Sequence, residues 1–154
     1  MQDFEFCSNN ESDTKALARK IADIAKIGDI FALYGTLGMG KSVFSRAFIQ
    51  HLSNASEVPS PTFTLLQLYE CKKFDIYHYD MYRIKSPEEI FELGIEDAFY
   101  SGVSLIEWPE KIEKYLPSNV IKIQFNPTGE NSRQILISSE NSDWLQRMRG
   151  LKNL

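Results

Sequence analysis

Eight consecutive residues, Gly35-Thr36-Leu37-Gly38-Met39-Gly40-Lys41-Ser42, satisfy G-x-x-x-x-G-K-[ST] at every position. Glycines let the backbone curl so that successive N–H groups point inward, and the N-terminus of a following helix adds its dipole at the same spot. Such a cradle holds the phosphates of ATP, with the Lys41 ammonium reaching the β- and γ-phosphates and the Ser42 hydroxyl a ligand for Mg2+. Val43, the first residue past the motif, belongs to the same nucleotide-contacting stretch. The context agrees, because an apolar run ends at Tyr34 and an amphipathic segment starts at Lys41. The competing explanation is a chance glycine turn ahead of a helix.

A phosphate cradle only binds. Hydrolysis also needs a second anchor for magnesium, a group that positions water, and a loop that senses the γ-phosphate. Ser60-Pro61-Thr62-Phe63-Thr64 lies downstream of the motif, where Thr62 or Thr64 could touch metal or phosphate, or where Pro61 simply kinks the entry to a strand. Asp80 and Glu107 each end an apolar stretch, and an acid directly after a buried strand sits at the edge where open α/β sheets bind ligands. Either acid can serve as the metal anchor. His78, inside the first of those stretches, reads as packed in the core, and Trp108 either covers the site or plugs an edge. Arg83 offers a finger-like charge or a partner for Glu88 or Glu89, and Phe44 and Phe48 fall at helical spacing as core.

These residues need elements to hold them. Strands are expected at 4–7, 30–34, 63–69, 74–79, 103–106, 120–125 and 134–137, with 63–69 and 74–79 forming an antiparallel hairpin across residues 70–73. Helices are expected at 16–25, with Asn10, Ser12 and Asp13 as candidate caps, then at 42–52, 87–93, 96–100, 110–115 and 142–151. Ser86, Pro87 and Glu89 make a helix start with a capping box and proline at its first position. The runs at 30–34 and 103–106 are apolar throughout, as buried parallel strands are. The expected fold is therefore α/β, a three-layer P-loop NTPase-like domain with a mixed parallel and antiparallel central sheet.

At 154 residues the chain has room for a single domain spanning 1–154. Apolar and charged fractions of 43% and 25% are ordinary for a globular protein, and a net charge of −4 argues against direct coating of DNA or RNA. Cys7 and Cys71 lie far apart without CxxC spacing, which argues against a disulfide scaffold or a structural zinc and fits a reducing compartment. No stretch approaches the ~20 apolar residues of a membrane span, and residues 1–11 carry no leader pattern, so cytoplasm is the default location and no membrane partner is expected.

Beyond the phosphate loop, Ser-Pro-Thr-Phe-Thr-Leu, His-Tyr-Asp-Met-Tyr-Arg, Glu-Glu-Ile-Phe-Glu-Leu-Gly-Ile and Leu-Ile-Glu-Trp-Pro-Glu follow in order along nearly the whole chain. Together with the loop they resemble the TsaE (YjeE) family, the bacterial ATPase component of the machinery that makes N6-threonylcarbamoyladenosine at position 37 of ANN-decoding tRNAs. The resemblance implies partners similar to TsaD and TsaB, with tRNA met only through that complex and ATP hydrolysis supporting repeated cycles of transfer on TsaD. It places Thr62 in a switch-like motif, Asp80 in H-x-D-x-Y-R and Glu107 with Trp108 in IEW. It implies Glu107 as the metal ligand with Ser42, and Asp80 as a water-positioning or supporting acid. It also implies that Glu11 and Thr14 flank the adenine and that Arg133 is a basic residue near the nucleotide. Ser42 stands where the family usually has Thr, and Met39 where it often has Ala; the hydroxyl and the backbone N–H survive both changes.

Two other classes compete. Short P-loop kinases of small molecules share this size, but need an acceptor pocket and an arginine-rich lid, whereas the arginines here are scattered. A nucleotide-gated binding module would use the same loop without hydrolysis. No [NT]-K-x-D guanine motif occurs, which favours adenine.

Overall fold

The computed structural model describes residues 2–35, 40–59, 61 and 64–151. Its elements run β1 (Gln2–Ser8), α1 (Glu11–Ile24), β2 (Ile30–Tyr34), α2 (Lys41–Leu52), β3 (Leu66–Tyr69), β4 (Asp75–Asp80), α3 (Ile95–Ser101), β5 (Gly102–Glu107), β6 (Ile121–Pro127), β7 (Arg133–Ser139) and α4 (Ser142–Arg149). Two 3₁₀ segments, Pro87–Leu93 and Pro109–Tyr115, flank α3 and β5.

The strands form one sheet in the order β1-β7-β6-β2-β5-β4-β3. The pairs β2–β6, β2–β5 and β4–β5 are parallel, while β7 pairs antiparallel with β1 and β6, and β3 antiparallel with β4. This is the mixed sheet expected, with the hairpin of β3 and β4 as its outer edge. Parallel strands need cover on both faces, and two apolar clusters supply it. On one face α1, α2 and α4 pack over Phe31, Leu33, Leu105 and Ile123; on the other, α3 and the 3₁₀ segments pack over Ala32, Ile106 and Tyr79. Phe31 is held edge-on between Phe48 of α2 and Trp144 of α4, with ring centroids 5.5 and 5.3 Å away.

Several boundaries differ from those expected, each for a local reason. Helix α1 begins at Glu11 rather than Ala16, because Asn10 Oδ1 accepts from Asp13 N at 2.9 Å and starts the helix in a polar first turn that carries no apolar period. Strand β1 is longer than residues 4–7 because it pairs with β7 along its whole length. The segments expected as helices at 87–93 and 110–115 are 3₁₀, with i→i+3 bonds such as Glu89 N to Ser86 O (3.1 Å) and Leu116 N to Glu113 O (3.2 Å). Each begins with proline, and the second is interrupted at Ile112, whose backbone is not helical at φ −127 and ψ 23. Glu89 does reach back to the Ser86 N–H, at 3.3 Å.

One long-range pair ties the last helix to the first buried strand. Arg147 of α4 donates to both carboxylate oxygens of Asp29, at 2.7 and 2.9 Å, and Asp29 directly precedes β2. Burial opposes the Arg147 charge, but Asp29 and Asp143 outweigh it and raise the guanidinium pKa. Replacing Arg147 by Ala strands a carboxylate that is only 4% exposed, so urea unfolding of Arg147→Ala is expected to lose about 3 kcal/mol against the parent, with the midpoint falling and the slope unchanged.

Candidate functional site

All four parallel strands run the same way, so their C-terminal ends share one edge, and the expected site residues collect there. Strand β2 ends at Tyr34 and hands over to Gly35; α2 starts at Lys41 behind Gly40. Gly40 sits at φ 97, a left-handed conformation that glycine adopts without strain. A Cβ there would lie 3.0 Å from Arg133 Nε, so the guanidinium of Arg133 packs directly over the turn into α2. Thr36, Leu37, Gly38 and Met39, the middle of the cradle, and Thr62 of the downstream motif lie outside the described residues.

Lys41 is 4% exposed. Its Nζ donates to Gly35 O at 2.6 Å and lies 3.7 Å from the centroid of the Trp108 ring. Burial pushes the Lys41 ammonium down from the usual lysine range, while the Glu107, Glu110 and Asp80 carboxylates pull it back up. Trp108 reaches that position because the chain turns sharply after β5, with φ 58 at Trp108 itself. For a bulky residue this conformation stores strain of a kind that clusters at functional sites. The Tyr82 ring packs against the indole at a tilt of 51°, with centroids 4.9 Å apart. Trp108 therefore covers the Lys41 ammonium.

The two acids lie side by side. Asp80 ends β4 and Glu107 ends β5, and the two are direct partners in the parallel register. Both are 5% exposed. Glu107 Oε1 accepts from Ser42 Oγ at 3.4 Å, which places a carboxylate oxygen and the loop hydroxyl at one point across β5 and α2. Asp80 Oδ1 accepts from Tyr82 N at 2.9 Å, and Asp80 N donates to Leu65 O at 3.0 Å, which fixes the end of β4 against the segment that follows Thr62. Glu107 faces the loop hydroxyl, and Asp80 accepts from the adjoining turn. Among the described residues no group of three or more His, Cys, Asp or Glu could hold a metal by itself. Among the described residues, Ser42 Oγ and Glu107 Oε1 are two oxygens close enough that they could share a cation.

Arg133 opens β7 and is the register partner of Ser8, whose hydroxyl lies 2.7 Å from that of Thr14. These residues and Glu11 therefore line up from Gly40 toward the start of α1. Thr14 is buried against Ser8, whereas Glu11 is exposed in the first turn, and Val43 is half-buried one residue past Ser42. On the Trp108 side an open cleft of about 400 Å³ lies between Tyr34, Glu110, Gln124 and Asn126.

His78, read from the sequence as core packing, is indeed 2% exposed, but its Nε2 lies 2.6 Å from Glu107 Oε2. The available signal was the alternation of β4, which turns Ile76, His78 and Asp80 to one face, two polar side chains among them. Among the described residues no helix is long and apolar enough to cross a membrane.

Comparison with known proteins agrees with this architecture. The family model described as "Threonylcarbamoyl adenosine biosynthesis protein TsaE" matches residues 8–135. A Rickettsia felis protein described as tRNA threonylcarbamoyladenosine biosynthesis protein TsaE is 46% identical over 144 residues, which is 90% of this chain and 84% of that protein. A Bacillus subtilis protein of the same description is 35% identical over 140 residues, 90% of this chain and 87% of its own. The crystal structure of Bacillus subtilis YdiB superposes with a TM-score of 0.79 at 28% identity, covering 97% of this chain and 93% of the other. The match runs from the end of β1 into β7 and takes in every described site residue, so the chain belongs to the TsaE family of threonylcarbamoyladenosine biosynthesis proteins.

Proposed function

We propose that this chain binds ATP with Mg2+ on its Gly35–Ser42 loop and hydrolyses it in the cytoplasm, supporting repeated turnover of a TsaD–TsaB transferase. That transferase would place threonylcarbamoyl on the adenosine at position 37 of ANN-decoding tRNAs, with tRNA reaching this chain only through the complex. The observation that carries the proposal is the approach of Ser42 Oγ to Glu107 Oε1 at 3.4 Å, beside a buried lysine at a helix N-terminus. Two oxygens of different elements brought together there fit a small hard cation better than a purely structural bond.

In this reading Ser42 and Glu107 hold the metal, which when bound neutralises charge on the phosphate oxygens. Lys41 leaves Gly35 O for the phosphates, and polyphosphate charge favours its protonated form over the one that burial favours. Trp108 shields that lysine from water. Asp80, fixed by the Tyr82 N–H beside Glu107, orients the attacking water or supports the residue that does. Thr62 senses the γ-phosphate. Arg133, packed over Gly40, adds positive charge toward the nucleotide, with Glu11 and Thr14 beside it at the start of α1 and Val43 closing the cradle.

Phosphate release from MgATP, measured with and without added TsaD and TsaB, tests the proposal. Weak release alone, stimulated by the partners and reduced about a hundredfold in Glu107→Ala, is the expected result. Phosphate transferred to a small-molecule acceptor, with no response to TsaD and TsaB, would overturn it in favour of a kinase. Nucleotide-dependent binding to the partners without any release would leave only a gated binding module. A second expectation concerns the cradle: Gly40→Ala forces a side chain into the left-handed region against Arg133, costing about 1–2 kcal/mol of stability in urea unfolding and weakening ATP binding in calorimetric titration.

A further inference from the structure

We infer that His78 is a positioning residue, whose Nε2–H fixes the Glu107 carboxylate so that Oε1 is presented to the metal bound at Ser42; the inference rests on the proposed nucleotide site. His78 is not opposite Glu107 in the sheet. The register pairs His78 with Leu105 and Asp80 with Glu107, so the imidazole reaches diagonally along β5 to make its 2.6 Å contact. Glu107 then divides its oxygens, Oε2 to His78 and Oε1 toward Ser42 at 3.4 Å. A carboxylate offers only acceptors, so the hydrogen of this contact sits on Nε2.

That assignment distinguishes positioning from packing. His78 Nδ1 is buried and has no hydrogen-bond partner among the described residues. A side chain kept only to fill space would be better apolar, because a buried unpaired polar atom carries a desolvation cost. The imidazole is accounted for by the other nitrogen, whose bond to a buried carboxylate is short and charge-assisted. Without that donor, Oε2 becomes a buried unpaired oxygen beside the Lys41 ammonium, whose charge already feels Glu107. The carboxylate would swing toward the lysine and withdraw Oε1 from Ser42. Partners that orient a metal ligand from behind in this way typically alter metal affinity about 10–100-fold when removed.

The test uses Mn2+ as the probe ion and ADP as the nucleotide, with Mn2+ affinity read by electron paramagnetic resonance and metal-free ADP affinity by calorimetry in EDTA. Wild type, His78→Gln, His78→Asn and His78→Leu are compared. The Gln amide nitrogen falls near the place of Nε2, whereas the Asn amide is one bond too short. His78→Leu and His78→Asn are expected to weaken Mn2+ binding to the ADP complex about 10–100-fold, with metal-free ADP affinity unchanged and His78→Gln close to wild type. Mn2+ affinity in His78→Leu equal to wild type would overturn the inference and leave the nucleotide reading standing. Equal losses in all three variants, with metal-free ADP binding lost too, would also overturn it by assigning His78 to packing. If wild type itself gains no Mn2+ affinity from ADP, the nucleotide reading fails and the inference with it.

Discussion

Four strands pointing the same way, β6, β2, β5 and β4, impose most of the organisation of this molecule. A parallel sheet cannot leave a face to water, so β2 and β5 are apolar over most of their length and helices cover both faces. Polar function is thereby expelled to the strand ends. Because the ends of β2, β4 and β5 are adjacent in the sheet, the glycine loop, Asp80 and Glu107 arrive together without any long segment to carry them. The edge is still nearly as buried as the core, and every charge there needs a counterpart. Lys41 leans on Gly35 O and an indole face, Glu107 on an imidazole, Asp80 on a backbone N–H.

Which features were legible in the sequence, and which were hidden, depends on the range of the interactions involved. The buried strands were legible because burial on both faces writes itself as a continuous apolar run, at 30–34 and 103–106. The loop was legible because its chemistry needs residue types at fixed spacing. The acids were legible as positions, since each closes a strand. What set Asp80 apart from Glu107 was not legible: the choice depends on which carboxylate faces Ser42 across 65 residues of sequence. His78 was read as core for a sound reason, since alternation shows which side a strand residue faces but not what it meets there. The start of α1 was legible only as one of three candidate caps, because its polar first turn carries no apolar period to single out Asn10. The pairing of Arg147 with Asp29, 118 residues apart, leaves no trace in local pattern at all.

Strain and burial gather at the same edge. A tryptophan at φ 58 and a lysine at 4% exposure each cost stability, and both lie within one loop cluster. The aromatic packing of Phe31, Phe44, Phe48, Phe125 and Trp144 directly beneath supplies the stability that offsets them. A rigid floor under a strained rim suits a site whose occupant must be held without collapse of the rim when it is empty.

The connectivity of the sheet has a consequence for how the chain acquires its shape during synthesis. The N-terminal strand β1 has one neighbour, and that neighbour is β7; the first buried strand, β2, lies between β5 and β6, and its root is neutralised by Arg147 of the last helix. Early segments therefore emerge from the ribosome without their partners, and the contacts they need are separated by most of the chain. With so many non-local contacts the domain closes late and as a whole. Until β5 and β6 are made the apolar run of β2 lacks both its neighbours, and until residue 147 is available Asp29 lacks its guanidinium partner, so the emerging chain carries apolar surface that needs protection from aggregation.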